Sequence, residues 1–276
     1  MSDVPKSDVT GQDLAGHVAV VTGGGRGIGQ VISRTLAAAG VKVALLGRDA
    51  ATLDRAAAAI NGTGGTAVGV VADVTNDAEV QAAFAHVDKE LGPVDLLVNN
   101  AGQAESGDIW VSDPATWWRV VEVNLKGPFL CSRAALTRMI PRRHGRIVNV
   151  SSYAAIGPNG WTSAYAVSKA GLLRFTDTIN EQAAPHGVQV FAVSPGTVQT
   201  DMTRSSDAFD GFTDWTPAER IADLTVRIAL GDADALAGRF IHVTDDLDLL
   251  VATADEVSAE DLYQLRLVKH PGWRGG

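Results

Sequence analysis

The chain has 276 residues, of which 46% are hydrophobic, and its formal net charge is -9. This length and composition allow one large buried core and argue against a disordered chain. The negative charge disfavours a broad nucleic-acid-binding face, and no apolar run approaches the roughly 18 to 20 residues that cross a bilayer. The first fifteen residues are polar and lack the apolar segment of a signal peptide. We therefore expect a cytoplasmic protein with a flexible leader.

Short apolar runs alternate with longer helical patterns along the chain, which predicts parallel strands joined by helical crossovers. The predicted strands cover residues 17–22, 41–47, 66–73, 94–100, 145–152, 188–196 and 238–244. The predicted helices cover residues 27–39, 49–60, 76–91, 114–140, 162–184 and 217–230. The expected fold is α/β: a doubly wound, seven-stranded, mostly parallel sheet with helices on both faces.

The predicted domain organisation is a leader over residues 1–15, a single catalytic domain over 16–244 and an extension over 245–276. Apolar residues in the extension recur at helical spacing and predict one or two short amphipathic helices; they are Leu247, Leu250, Val257, Leu262, Leu265 and Val268. We expect the extension to pack on the domain or on a neighbouring subunit.

The segment VAVVTGGGRGIG, from Val18 to Gly29, predicts a strand, a glycine-rich turn and the start of a helix. Glycine at 23, 27 and 29 lets the backbone approach a phosphate, and the helix N-terminus supplies free N–H groups and a positive dipole end. The segment therefore favours a dinucleotide site of the Rossmann type. Taken alone, such a pattern also fits an ordinary tight turn.

Tyr165 and Lys169 are one helical turn apart and share a helix face. A tyrosine, with a pKa of about 10, is a poor base at neutral pH, and an ammonium beside it would lower that pKa. Ser152 ends a predicted strand, at the sheet edge where open α/β sheets bind ligands, and its hydroxyl can bond a substrate oxygen. An isolated Tyr-x-x-x-Lys pair is more often structural.

Six motifs occur in a fixed order, and their joint occurrence carries more weight than any one of them. They are TGGGRGIG at 22–29, NNAG at 99–102, VNLKG at 123–127, NVSS at 149–152, YAVSK at 165–169 and SPGTVQT at 194–200. Over about residues 17–200, the chain resembles the short-chain dehydrogenase/reductase family, in its single-domain, 3-oxoacyl reductase-like branch.

The resemblance implies an NADP(H)-dependent oxidoreductase that interconverts a secondary alcohol and a ketone by hydride transfer. It implies Tyr165 as proton donor or base, Ser152 as oxygen binder, and Lys169 as electrostatic tuner and ribose ligand. It also implies that Asn124 supports a proton relay, although a short amide side chain more often bonds locally to backbone.

The resemblance also implies a set of cofactor contacts. Asp73 and Val74 would face the adenine, the NNAG residues the ribose, and the SPGTVQT residues the nicotinamide amide and the phosphates. The expected contacts are Gly23, Gly25, Arg26, Gly27, Ile28, Gly29, Arg48, Asp73, Val74, Asn100, Ala101, Gly102, Tyr165, Lys169, Pro195, Gly196, Val198 and Thr200. Without the resemblance, Asp73 fits a turn or helix cap equally well.

The end of the second predicted strand favours NADP over NAD. An acid there would bind ribose hydroxyls and repel a 2′-phosphate, but Gly47 occupies the position and Arg48 follows it. Arg26 is a second cation within reach, and arginine pairs well with phosphate. Asp49 comes one position too late for the acidic role but keeps NAD possible.

Bulky apolar residues in three loops at the expected ligand edge suggest a carbonyl substrate that is partly apolar or aromatic. They are Trp110, Trp161, Met202, Phe209, Phe212 and Trp215. Ordinary packing is the alternative for each. Arg138, Arg142 and Arg143 could meet an acidic carrier protein, but a solvated helix end is favoured.

No metal site is expected, because the six histidines are scattered and acids at 245, 246 and 248 match no metal loop. The single cysteine, Cys131, is expected in the core. By analogy with the family, we expect a homo-oligomer, a tetramer, assembled through the helices at 114–140 and 162–184. Two other functions stay open: a catalytically weak nucleotide-binding or scaffold protein, and, less favoured, a sugar-nucleotide epimerase or dehydratase.

Overall fold

The computed structural model describes residues 14–157, 160, 162–204 and 209–266. The strands are β1 (Val18–Thr22), β2 (Lys42–Gly47), β3 (Thr66–Val71), β4 (Leu96–Asn99), β5 (Gly145–Val150), β6 (Val188–Ser194) and β7 (Phe240–His242). All pair in parallel, in the order β3-β2-β1-β4-β5-β6-β7. The predicted seven-stranded parallel sheet is therefore confirmed. From β1, strands β2 and β3 are added on one side and β4 to β7 on the other. The strand order therefore reverses between β1 and β4, and a ligand crevice forms at their carboxyl ends.

Helices cover both faces of the sheet. They are α1 (Gly27–Ala38), α2 (Ala50–Asn61), α3 (Asp77–Glu90), α4 (Pro114–Val121), α5 (Gly127–Arg142), α6 (Ser163–Ala183), α7 (Asp201–Arg204), α8 (Glu219–Leu230), α9 (Leu247–Ala252) and α10 (Ala254–Ala259). Within β1, Ala19 and Val21 face the core under α1, α2 and α8, whereas Val18 and Val20 face the core under α3, α5 and α6. This alternation follows from the pleat of a strand buried on both sides.

The span predicted as one helix over 114–140 is helical throughout, but it is not one regular α-helix. The chain instead forms α4 and α5, joined by one turn of π-helix over Glu122–Lys126. Apolar periodicity does not distinguish a π turn from an α turn, because one extra residue shifts the helix face without removing the helical pattern. The other predicted boundaries differ from the observed ones by a few residues, most of all at β7, which keeps only three residues.

One or two short helices were expected after β7, and the structure has two, α9 and α10. Of the apolar residues expected on them, Leu247, Leu250 and Val257 join the core beside α1 and α8. Leu262 and Leu265 lie beyond α10 and are exposed, and Val268 lies outside the described residues.

The three acids at 245, 246 and 248 have partners. Asp245 accepts a hydrogen bond from the His242 amide, Asp246 caps α9, and Asp248 pairs with Arg227. Within the described ranges, no helix has the length and apolarity needed to span a membrane.

The N-terminus of α3 offers a test of local stability. The Asn76 side chain accepts hydrogen bonds from the amides of Ala78 and Glu79. Asn76→Ala removes this cap, and we expect the free energy of unfolding, from urea titration, to fall by about 1 kcal/mol. Asn76→Ser is the control because serine also caps helices. Equal losses in both variants would contradict the capping role.

Candidate active site

The glycine-rich turn lies where β1 passes into α1. Gly23 has a φ of 66°, and its amide donates a 2.7 Å hydrogen bond to the Leu46 carbonyl. A Cβ atom at Gly29 would overlap the carbonyl oxygen of Gly23, so α1 can approach the turn only because position 29 is glycine. Gly27 has a φ of 53°. Among the described residues, only Thr200 lies within 4 Å of the position that a Cβ atom at Gly27 would occupy. The open side of this turn fits a phosphate.

Hydrogen bonds join the NNAG segment to the end of β1. The Thr22 hydroxyl accepts bonds from the amides of Asn100 and Ala101, each at 2.9 Å. The Asn100 side chain donates to the Thr22 carbonyl at 2.9 Å. These bonds fix the separation of β1 and β4 beyond their carboxyl ends, and so fix the width of the crevice beside the glycine-rich turn.

The structure brings Ser152, Tyr165 and Lys169 together. Ser152 follows β5, and the other two lie on α6, one helical turn apart. The Ser152 hydroxyl is hydrogen-bonded to the Tyr165 hydroxyl. Lys169 Nζ donates a 2.7 Å bond to the carbonyl of Val150, the last residue of β5, and lies 5.5 Å from the centre of the Tyr165 ring. A hydroxyl pair and an ammonium thus share one end of the sheet.

Burial controls the ionisation of this group. Burial raises the pKa of Tyr165, and the hydrogen bond from Ser152 only partly offsets this effect. Burial also lowers the pKa of Lys169 to about 8. The expected lowering of the Tyr165 pKa is therefore wrong for the protein alone. The Lys169 ammonium points to the Val150 carbonyl. Loss of hydration of the Tyr165 hydroxyl raises its pKa by more than the ammonium lowers it.

Asn124 lies in the π turn and is buried. Its Oδ1 accepts a bond from the Gln103 amide at 2.8 Å, and its Nδ2 donates to the Gln103 carbonyl at 2.8 Å and to the Ser168 hydroxyl at 3.0 Å. These bonds connect the loop after NNAG to α6. The alternative for this residue was a hydrogen bond to nearby backbone. The backbone partner of Asn124 is instead Gln103, which is 21 positions away.

Asp73 and Val74 lie just beyond β3. Burial raises the pKa of Asp73, but hydrogen bonds from Thr75 and from the Arg119 guanidinium outweigh it and bring the pKa to about 2. Arg119, on α4, reaches the carboxylate at 2.8 Å. Sequence reasoning missed Arg119, because nothing in the local pattern relates residues 46 positions apart. Val74 is buried against Gly127.

Two exposed arginines flank the crevice. Arg26 forms a 3.5 Å ion pair with Asp201 of α7, a partner that the sequence did not indicate. Arg48 is exposed and has no ion pair among the residues described. Asp49 caps α2, and its carboxylate accepts a 2.8 Å hydrogen bond from the Thr52 amide. The carboxylate thus has a structural role that differs from binding a ribose.

The segment after β6 carries a compact aromatic group. Phe212 packs on Trp215 with ring centres 4.8 Å apart, and Phe209 lies 5.8 to 6.0 Å from both. Trp110 is 78% exposed, so it does not line an enclosed pocket. Trp161 lies outside the described residues.

The basic end of α5 is occupied by structural contacts. Arg138 pairs with Asp88, and Arg142 pairs with Asp95. Arg143 donates to the Pro185 carbonyl. The Arg138 and Arg142 side chains are only 21% and 31% exposed, so this helix end is held by ion pairs rather than solvated as expected, and the contacts do not favour a free surface for an acidic carrier.

A doubly wound sheet with this turn and this polar group at its carboxyl edge defines an oxidoreductase of the dinucleotide-dependent class. Residues 17–211 match the family model described as short chain dehydrogenase. The chain therefore belongs to the short-chain dehydrogenase/reductase family, as the motifs predicted. It is an enzyme, and its family uses NAD or NADP.

Individual relatives agree with this assignment. The chain is 35% identical over 240 residues to the 3-oxoacyl-[acyl-carrier-protein] reductase FabG of Escherichia coli (strain K12), covering 84% of this chain and 97% of that one. It is 34% identical over 276 residues to the short chain dehydrogenase pigC of Monascus ruber, covering 96% and 90%. A crystal structure of a short-chain type dehydrogenase/reductase from Mycobacterium marinum superposes with a TM-score of 0.79 at 28% identity, covering 83% and 94%.

The buried ammonium makes a prediction about stability and pH. The unfolded chain holds the Lys169 proton up to the ordinary pKa of 10.5, whereas the folded chain releases it near 8. The unfolded state therefore binds more protons between these pH values, and stability from this group rises with pH. We expect the unfolding free energy of the wild type, minus that of Lys169→Met, to increase by about 3 kcal/mol from pH 8 to 10.5. Urea titrations at several pH values measure this; a constant or falling difference contradicts it.

Proposed function

We propose that the protein is an NADP(H)-dependent oxidoreductase that interconverts a secondary alcohol and a ketone. The observation that carries the proposal is the grouping of Ser152, Tyr165 and Lys169 at the carboxyl edge of the sheet, beside the glycine-rich turn. A substrate oxygen placed there meets two hydroxyl groups and a nearby positive charge. When bound, NADPH would supply the hydride to a ketone, or NADP+ would accept it from an alcohol, and the protein supplies position and electrostatics.

In the reductive direction, Tyr165 donates its hydroxyl proton to the substrate oxygen as negative charge develops there. The raised pKa of Tyr165 keeps the phenol protonated at neutral pH, which suits a proton donor. Ser152 binds the same oxygen and stabilises its charge. In the oxidative direction the steps run backwards, and Tyr165 accepts the proton of the alcohol only after its own hydroxyl has been deprotonated to the phenolate.

Lys169 and Asn124 support this chemistry. An ammonium has three N–H donors, and in the described part of the chain Lys169 Nζ makes one hydrogen bond, to Val150. The remaining donors are available for ribose hydroxyls, as the resemblance implies. Asn124 holds the Gln103 segment against α6, which suits its expected place beside a proton relay.

The preference for NADP rests on charge. Gly47 leaves no acid at the end of β2, and the Asp49 carboxylate is engaged in capping α2. Arg26 and Arg48 are exposed cations able to meet a 2′-phosphate. The expected adenine contacts, Asp73 and Val74, lie at the end of the neighbouring strand.

The substrate we propose is a carbonyl compound with apolar or aromatic character. The support is the group of Phe209, Phe212 and Trp215, which follows the strand that leads into the cofactor segment. Its base is tied to that segment, because the Thr216 amide donates a 2.7 Å bond to the Thr197 carbonyl. The relative named 3-oxoacyl reductase acts, by its name, on a carbonyl of the same general class.

We also propose a cytoplasmic homo-oligomer that associates through the outer face of α5 and α6. That face carries an apolar groove, and Phe129, at its margin, is 47% exposed. The groove is lined by Phe129, Leu136, Ile140, Phe175 and Ile179, among others. One self-complementary face joins only two copies. The tetramer implied by the resemblance therefore requires a second face.

Substitution of the phenol tests the reaction. We expect Tyr165→Phe to lower kcat by about 10² to 10⁴-fold, because the proton donor is lost, with little change in NADPH affinity. Ketone and alcohol panels, followed by the absorbance of reduced nicotinamide, measure turnover; fluorescence titration measures binding. Tyr263→Phe, which removes a phenol hydroxyl far along the chain, is the control.

Near-normal turnover in Tyr165→Phe would reject the assignment. If the wild type binds NADPH but transfers hydride to no compound in either panel, the chain is instead the nucleotide-binding or scaffold protein left open above.

Substitution of the exposed cation tests the cofactor preference. We expect Arg48→Ala to raise the KM for NADPH by about tenfold, the loss of one charge-assisted phosphate contact, and to leave the KM for NADH unchanged. Lys89→Ala is the control, because Lys89 is also an exposed cation and lies at the C-terminal end of α3. A similar change with both cofactors would contradict phosphate recognition by Arg48.

A further inference from the structure

The final strand of the sheet has one side without a neighbouring strand in the described structure. The Arg239 carbonyl and the Val243 amide bond to β6. Because bonding directions alternate along a strand, the polar groups of Phe240 and His242 point away from the sheet. Such an edge is a ready template for pairing with a strand of another molecule.

The chain satisfies three of these four outward groups by itself. The Phe240 amide donates a 2.8 Å bond to the Tyr263 carbonyl. The His242 amide donates to Asp245 Oδ2 at 2.7 Å, and the His242 carbonyl accepts from the Asp245 amide at 2.9 Å. The edge of β7 is therefore covered by residues of the C-terminal extension.

Residues 261–266, which we call the edge strap, are held at several points. Arg239 donates to the Leu262 carbonyl at 2.8 Å. Arg266 pairs at 2.7 Å with Asp177, a carboxylate of α6 whose side chain is 3% exposed. The same carboxylate also pairs with Arg174 of α6 at 2.7 Å, so Arg266 is its second cation partner and adds one more attachment of the strap to α6.

We propose that the edge strap closes β7 to strand pairing with a second copy of this chain. The sheet then cannot continue from one copy into the next, and self-association is confined to helical surfaces such as the outer face of α5 and α6. This inference rests on the fold and not on the proposed reaction. Loss of catalysis in the active-site variants would leave it untouched.

The backbone of Tyr263 supplies a sharp test. Its φ is 57°, a value that proline cannot adopt and glycine adopts freely. Tyr263→Pro therefore displaces the strap, whereas Tyr263→Gly removes the same side chain and keeps the strap in place. A chain ending at Glu260 removes the strap entirely and keeps the core residues of α9 and α10.

The readouts are molar mass by light scattering and hydrogen exchange of the Phe240 amide over a range of protein concentrations. We expect Tyr263→Pro, or the shortened chain if that variant does not fold, to double in mass at concentrations where the wild type and Tyr263→Gly do not. When dilute, its Phe240 amide should exchange roughly tenfold faster or more, and slow down as the protein is concentrated.

Two results would overturn the proposal. One is that neither strap-disrupting variant differs from Tyr263→Gly in mass or in exchange. The other is that protection of the Phe240 amide in the wild type already rises with protein concentration, which would show that this edge pairs between copies despite the strap.

Discussion

The hydrogen bond from Lys169 Nζ to the Val150 carbonyl sets the geometry of the site. Val150 is the last residue of β5, Ser152 follows two residues later, and Tyr165 lies one helical turn before Lys169. This bond ties α6 to the end of β5 that leads to Ser152, and so helps to hold the three site residues together. Its cost is desolvation of an ammonium, which the lowered pKa records. The same burial keeps the neighbouring phenol neutral, so one environment sets both protonation states.

A buried polar network beneath the site holds α6 in place. Asn99 of β4 donates to Ser132 of α5 and to Asn149 of β5, and Asn149 donates to Thr176 of α6. Asn99 Oδ1 is buried and has no partner within the described residues. Such networks give less stability than apolar packing but allow few alternative arrangements. The helix that carries Tyr165 is thus positioned by directional bonds as well as by packing.

The fold and the main site residues could be predicted because their signals are local. Parallel strands alternate with helices in the sequence, and Tyr165 and Lys169 are four residues apart. The Arg119 partner of Asp73 and the Asp201 partner of Arg26 could not be predicted, because each pair forms only after the chain has folded. The direction of the Tyr165 pKa shift was missed for a related reason. Burial depends on the whole packing around the phenol, and spacing along a helix reports only the neighbouring charge.

The ion pair between Arg26 and Asp201 bears on cofactor binding. Both side chains are about 70% exposed and 3.5 Å apart, and a pair of this kind contributes at most about 1 kcal/mol. A phosphate at Arg26 would replace a weak, solvated partner with a doubly charged one that binds a guanidinium bidentately. Release of Arg26 therefore costs little. Because Asp201 belongs to α7 after β6, breaking the pair would also remove one contact between that segment and the glycine-rich turn.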